Sequence, residues 1–243
     1  MKFFKIIRDI FFPPDFTCDL CGREIFGGGR LCEECRAKVV FNDAETCPVC
    51  GRQTQSDELC LECKTLAPLY DKAVSALVYV DGGRDLILKF KGGSAYLYEY
   101  FTDLVLPKCR QFSDADGVCF VPMTSAAEAK RGYNQSKLLA KRIAKELKLP
   151  LLARAIDKVK KTKPQKSLTR VERENNLKGC FKAYREDVDG KNLIVVDDVL
   201  TTGATADAVS AELKKRGAKK VYFVTVASVK SEGEAPDIPI DLI

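Results

Sequence analysis

Two adjacent carboxylates close an apolar run in "LIVVDDVLTTGAT", residues 193–205. Charges at the end of a buried strand are costly unless something meets them. Leu193 to Val196 read as that strand, and "GATADAVSAELKKRG" reads as a following helix. In open α/β sheets, ligands bind beyond the carboxyl ends of the strands. The first amides of the helix that Gly203 begins lack internal partners, and together with the positive helix end they form an anion site. Thr201, Thr202 and Thr205, around Gly203 and Ala204, add hydroxyl donors suited to a phosphate. A sugar with two vicinal hydroxyls fits beside that phosphate, against Asp197 and Asp198. The stretch is therefore compatible with a pocket for a ribose 5-phosphate. It is not a P-loop, because the G-K-[ST] ending is missing.

A second chemistry lies near the other end. Eight of the eleven cysteines form four C-x-x-C pairs: Cys18/Cys21, Cys32/Cys35, Cys47/Cys50 and Cys60/Cys63. They sit in an internal repeat. "TCDLCGREIFGGGRLCEEC" aligns with "TCPVCGRQTQSDELCLEC", each copy opening T-C-x-x-C-G-R and closing L-C-x-x-C. The glycine after each first pair suits a tight knuckle turn. Two knuckles place four thiolates tetrahedrally, so two structural Zn²⁺ sites of the ribbon type are expected. A disulfide framework is the competing reading, and it needs an oxidising compartment. The repeat suggests one ion per copy, with a crossed pairing of the first and third pairs as the alternative. So small a module draws its folding energy from metal binding, roughly 10–16 kcal/mol per site. It is expected to have a core separate from the rest of the chain. Cys109, Cys119 and Cys180 lie outside the repeat, and Cys119, in "VCFVP", is expected to be buried packing.

The elements that must hold these groups follow from the remaining pattern. The chain has 243 residues, 46% hydrophobic, enough for one medium domain and a smaller module. Residues 1–66 are assigned to an N-terminal amphipathic segment and the double ribbon, 67–230 to the larger domain, and 231–243 to a loosely docked tail. "MKFFKIIRDIFFPP" reads as a short amphipathic helix ended by Pro13-Pro14, since Lys5, Arg8 and Asp9 interrupt its apolar stretch. No run of about eighteen apolar residues is present, so no transmembrane helix is expected, and the protein is placed in the cytoplasm. "KAVSALVYV", "GVCFVP", "PLLARAIDKV", "GCFKAY", "NLIVVDD" and "KKVYFVTVAS" read as strands. "GGRDLILKFKGG", "SAYLYEYFTDLVLPKC" and "NQSKLLAKRIAKEL" read as helices between them. This alternation predicts an α/β fold with a parallel sheet of doubly wound type. The net charge of +6 is compatible with phosphate-bearing ligands or nucleic acid. Without any histidine, a metal must be held by cysteine or carboxylate.

"LIVVDDVLTTGAT" resembles the phosphoribosyl-pyrophosphate loop of type I phosphoribosyltransferases. With "FPP" before the first cysteine pair, "LILKFKG", "RGYNQSKLLA" and "KTKPQKSLTRVERENNLKGCF", almost the whole chain resembles the ComF competence-protein family. That family joins a zinc module to a phosphoribosyltransferase-like domain. The resemblance implies that Asp197 and Asp198 hold the ribose hydroxyls, directly or through Mg²⁺. It implies that Thr201 to Thr205 cradle the 5-phosphate, and that the turn from Val121-Pro122 to Arg131 is the pyrophosphate side. Residues 158–176 become a mobile loop over the site. Lys160, Lys161, Lys163, Gln165, Lys166, Arg170 and Arg173 fall on it, and the alternative for this basic run is a solvated surface loop. Between Val121-Pro122 and Arg131 the segment "MTSAAEAK" carries Glu128 and only one cation, Lys130, which implies weaker pyrophosphate binding. Two functions follow from the resemblance. One is transfer of a phosphoribosyl group from phosphoribosyl pyrophosphate, linked to DNA uptake or utilisation. The other is a non-catalytic accessory protein that binds single-stranded DNA and a helicase partner.

Overall fold

The computed structural model describes residues 17–25, 29–160 and 177–231. The amphipathic segment, most of the basic run and the tail lie outside the described residues. Six strands and eight helices are described. In chain order they are α1 (Glu33–Ala37), α2 (Leu61–Leu66), β1 (Lys72–Val78), α3 (Asp81–Lys91), α4 (Leu97–Cys109), β2 (Gly117–Phe120) and α5 (Ser125–Arg131). Then follow α6 (Gln135–Leu147), β3 (Ile156–Lys158), β4 (Phe181–Ala183), α7 (Arg185–Val188), β5 (Asn192–Leu200), α8 (Ala204–Lys215) and β6 (Lys220–Ser228).

Four strands form a parallel sheet in the order β1-β6-β5-β2. Its strands are almost continuously apolar because helices cover both faces. Alternation along β5 divides the core. Ile194 and Val196 join Leu86, Ile87 and Phe90 of α3 and Leu139 and Ile143 of α6. Leu193 and Val195 join Val209 and Leu213 of α8 on the other face. On α6 the spacing of Leu139, Ala140, Ile143 and Ala144 places them on one buried stripe. Asn134 starts that helix, its side-chain oxygen accepting from the Lys137 amide at 3.2 Å.

The parallel α/β fold is as expected, with two differences in the elements. "PLLARAIDKV" is not one strand. Leu151 makes a single parallel bridge to Val118 at the sheet edge, and Ile156–Lys158 pair antiparallel with Phe181–Ala183 in a separate two-stranded sheet. A turn at residues 153–154 separates the two pieces. β5 also continues past the acids to Leu200, with Asp197 opposite Thr225 and Leu200 opposite Ser228.

The second ribbon does not have a separate core. Cys47, Cys50, Cys60 and Cys63 are buried with Tyr70, Leu193 and Phe223 in the cluster on the α8 side of the sheet. The chain between the two ribbons runs antiparallel along β1: the Asn42 amide donates to Ala76 O at 2.9 Å and the Val78 amide to Val40 O at 2.9 Å. The buried Asn42 side chain donates to Gly51 O at 2.7 Å and to Ser75 Oγ at 2.8 Å. Ser75 Oγ in turn lies 2.7 Å from Ser228 Oγ. Gly51 has a φ of 65°, and a Cβ there would meet Ala73 O at 2.4 Å. Only glycine permits both the knuckle turn and this approach to the sheet.

Candidate ligand-binding site

A cavity of about 720 Å³ opens at the carboxyl ends of β2 and β5. Its walls include Lys91, the turn Val121–Thr124, Lys130, Arg131, Gln135, Ser136, Lys158, Phe181, Asp197, Asp198, Thr201 and Thr205. The parallel strands make this the expected place for a ligand, because both β2 and β5 end here and hand over to helices. The two acids, Arg131 and the threonines flanking the β5–α8 turn therefore share one wall system. Thr202 and Gly203 lie in the turn behind it, and Ala204 opens α8. Gly203, at φ 86°, stands immediately before α8, and Thr202 Oγ1 accepts from the Ala204 amide at 3.4 Å.

Each acid has a different partner. Asp197 Oδ1 accepts from Ser136 Oγ at 2.9 Å and from the Asp198 amide at 2.9 Å. Burial, with the neighbouring Asp198 charge, pushes its carboxyl up to about 7. Asp198 Oδ2 lies 3.4 Å from Lys91 Nζ, both side chains largely enclosed. Both carboxylates line the cavity, and oxygen ligands of this kind are what a hard cation takes.

"RGYNQS" explains itself residue by residue. Gly132, at φ 87°, ends α5. The Tyr133 hydroxyl donates to Phe90 O, and Asn134 Nδ2 donates to Val121 O at 3.2 Å. Gln135 Oε1 accepts from Arg131 Nη1 at 2.8 Å. Ser136 reaches Asp197 as above. The stretch thus ties the cation wall, the α3 end and the acid pair together. Glu128 does not line the cavity and lies 3.7 Å from Lys137 Nζ.

Sequence reasoning missed Lys91, Gln135, Ser136 and Phe181 as wall residues, and it counted Lys158 as the start of the mobile loop, whereas Lys158 ends β3 and lines the cavity from there. "LILKFKG" and "RGYNQSKLLA" carried a signal for the first three without assigning them a role. Lys158 and Phe181 face each other across β3 and β4, with the ammonium 5.7 Å from the ring centroid, and burial lowers the Lys158 pKa. Of the expected loop residues, Lys160 is exposed just beyond β3. Lys161, Lys163, Gln165, Lys166, Arg170 and Arg173 lie outside the described residues.

The thiols form two groups, Cys18, Cys21, Cys32 and Cys35, and Cys47, Cys50, Cys60 and Cys63, the sulfurs of each lying within 4.8 Å of one another. The arrangement is sequential, not crossed. A tetrahedron with metal–sulfur arms of about 2.3 Å has edges of about 3.8 Å. Cys21 and Cys32 Sγ are 3.8 Å apart, and Cys50 and Cys60 Sγ are 3.6 Å apart. These separations exclude disulfides, which need about 2.05 Å. The Arg23 amide, followed by its guanidinium, holds the Cys21 thiol down at about 6. Hydrogen bonds from Cys50 and Cys63 lower Cys47, while Cys47 raises Cys50. Thiols this crowded cannot all ionise unless a cation joins them, and both clusters fit structural zinc. Cys109, Cys119 and Cys180 are buried elsewhere, with burial pushing Cys109 and Cys119 up to about 12.

Comparison with known proteins places these two features in one architecture. Residues 7–64 match the double zinc ribbon domain, and residues 134–241 match the phosphoribosyl transferase domain. Competence protein F of Haemophilus influenzae is 27% identical, over 85% of this chain and 94% of its own. Competence protein ComFC of Bacillus subtilis is 26% identical, over 83% and 86%. DNA utilization protein YhgH of Salmonella typhimurium is 31% identical, over 79% of this chain and 87% of its own. This chain belongs to the ComF family. Its ComF architecture is a parallel α/β sheet of phosphoribosyltransferase type carrying two four-cysteine ribbons. Among solved structures, a purine phosphoribosyltransferase from Pyrococcus horikoshii Ot3 aligns at 21% identity over 58% of this chain and 80% of its own, with a TM-score of 0.36, a likeness too loose to carry weight. Among the described residues of this ComF chain, no helix is long and apolar enough to cross a membrane.

Proposed function

We propose that the cavity binds the ribose 5-phosphate part of phosphoribosyl pyrophosphate together with Mg²⁺, and that the chain serves DNA uptake or utilisation. The observation that carries the first half is the convergence of the acid pair, Arg131 and the β5–α8 turn on one cavity. Thr201 and Thr205 receive the 5-phosphate. Asp197 and Asp198 orient the ribose hydroxyls, directly or through the metal. Lys130 and Arg131 face the pyrophosphate. Bound Mg²⁺ supplies charge neutralisation on the departing pyrophosphate. The residues supply orientation and fixed charge, which is what a reaction that breaks the bond from the anomeric carbon to pyrophosphate requires. A nucleophilic acceptor then takes the phosphoribosyl group. The second half rests on the names of the relatives, a competence protein F and a DNA utilization protein.

Calorimetric titration with phosphoribosyl pyrophosphate and Mg²⁺ tests the binding. The double substitution of Asp197 and Asp198 by Asn is expected to weaken it by roughly 1–3 kcal/mol, the scale of charge-assisted hydrogen bonds. Equal affinity in parent and double variant contradicts the assignment. A pyrophosphate-release screen over bases, amines and DNA tests the transfer. The cationic wall also supports a second reading, a grip on the backbone of single-stranded DNA, because Lys130, Arg131 and Lys158 line the cavity and Lys160 is exposed beside them. A helicase partner belongs to that reading.

A further inference from the structure

The two ribbons carry the same internal ion pair in different surroundings. Arg23 follows the first knuckle and its guanidinium meets Glu34, Nη1 to Oε1 at 3.2 Å. Arg52 holds the equivalent place in the second knuckle and meets Glu62, Nη1 to Oε1 at 3.1 Å. The backbone repeats as well: the Cys18 amide donates to Arg23 O at 2.7 Å and the Cys47 amide to Arg52 O at 2.9 Å. The first pair is solvent-exposed, at 59% and 67% for the two side chains, whereas the second is at 5% and 11%. An exposed pair contributes little, and a buried one is costly unless its remaining donors and acceptors are met.

Of those remaining groups in the second copy one reaches the ligand site, one meets the chain after β6, and Arg52 Nε stays buried without a partner. Arg52 Nη2 donates to the backbone carbonyl of Thr201, the residue that follows β5 and lines the cavity. Glu62 Oε2 accepts from Ser231 Oγ at 3.2 Å. After α2, the Leu69 amide donates to Asp207 Oδ1 at 2.8 Å, in the first turn of α8. The turn between β5 and α8 is thus held from behind by one side chain of the second ribbon, Arg52, and from its helix by one backbone group of the chain that leaves that ribbon, the Leu69 amide. The Arg23 guanidinium instead spends both terminal nitrogens on Glu34.

We propose that the second zinc ribbon is a built-in support of the ligand-binding turn, with Arg52 the positioning residue that fixes the Thr201 carbonyl and so aims the residues of the turn into the cavity. The consequence for affinity rests on the reading of the cavity as a ribose-phosphate site, while the support itself does not. A planar guanidinium serves two acceptors at once, Glu62 and Thr201, which an ammonium cannot do at fixed geometry. A turn held in place before the ligand arrives loses less freedom on binding. The first ribbon, with the same pair exposed, is the internal control.

The test uses the full chain loaded with zinc and compares the parent with Arg52→Met, Arg52→Lys and Arg23→Met. Amide hydrogen exchange over residues 201–205 is measured without ligand, zinc per chain by elemental analysis, and Kd for phosphoribosyl pyrophosphate with Mg²⁺ by calorimetry. Arg52→Met is expected to speed exchange in that turn and raise Kd about tenfold or more, the effect of losing a charged hydrogen bond. β1 and α6 should keep parental protection, and Arg23→Met should change neither readout. Arg52→Lys is expected to fall between. Parental exchange at 201–205 in Arg52→Met overturns the proposal. If Arg52→Met loses zinc, Arg52→Lys decides it, and parental exchange there overturns it. A parent that does not bind the probe removes the ribose-phosphate reading alone, since exchange still reports the support.

Discussion

Asp197 is a carboxyl group that the ligand-free fold prefers to keep protonated. Its value rises from the usual carboxylate range to about 7, through burial and the adjacent Asp198 charge. Below about pH 4 the group is neutral in both folded and unfolded chains. Between there and about 7 the unfolded chain gives up the proton and the native chain holds it, so stability falls as pH rises, and the loss is complete above the native value. Asp197→Asn removes this dependence. The melting temperature of the variant is therefore expected to exceed that of the parent by more at about pH 8 than at about pH 5, both measured without Mg²⁺. An equal difference at both pH values contradicts the assignment. The same environment explains what was legible at this scale. The acid pair announced itself because charges at a strand end demand partners. The partners did not, because Lys91 of α3 and Ser136 of α6 meet those acids only when the sheet brings separate stretches of chain together.

The second ribbon behaves as an element of the main fold, the first less so. Cys60→Ser is expected to release zinc from the second cluster and to lower the melting temperature of the whole domain, because those thiols share a core with Leu193, Val209 and Phe223. Cys18→Ser is expected to cost the first ion and leave most of the domain folded. Elemental analysis should give about two zinc ions per chain for the parent and about one for either variant, with calorimetric melting to separate them. Equal melting losses in the two variants contradict the asymmetry. From sequence, both ribbons were legible as four-cysteine modules, since spacing and repetition agree. Their unequal attachment was not, for it depends on Gly51 packing against Ala73 and on Arg52 reaching Thr201. The stretch that holds β3 was misjudged for a related reason. "PLLARAIDKV" has the composition of one strand, but its two halves pair with different partners.

At the scale of the molecule, the sequence carries a net charge of +6, and cationic side chains gather at the cavity. If this face grips single-stranded DNA, affinity is dominated by phosphate contacts, tolerates any sequence and falls steeply with salt. Replacing Lys160, Lys161 and Lys163 by Ser is expected to lower affinity for all oligonucleotides alike and to flatten the salt slope. Fluorescence anisotropy at two salt concentrations measures both. Absence of binding at low salt leaves the transfer reaction as the remaining function, and salt-insensitive, sequence-selective binding places the contact elsewhere. The shape of the sheet bears on how such a molecule behaves in a crowded cell. Residues 40–42 run along the outer side of β1, and residues 150–152 bond to the outer side of β2. Neither border strand offers a long row of unmet backbone groups on which a second copy could stack. One of these two guards is the stretch of chain strung between the ribbons. A chain starved of zinc is therefore expected to lose more than a module, because the segment that covers the rim of β1 is strung between the two metal sites.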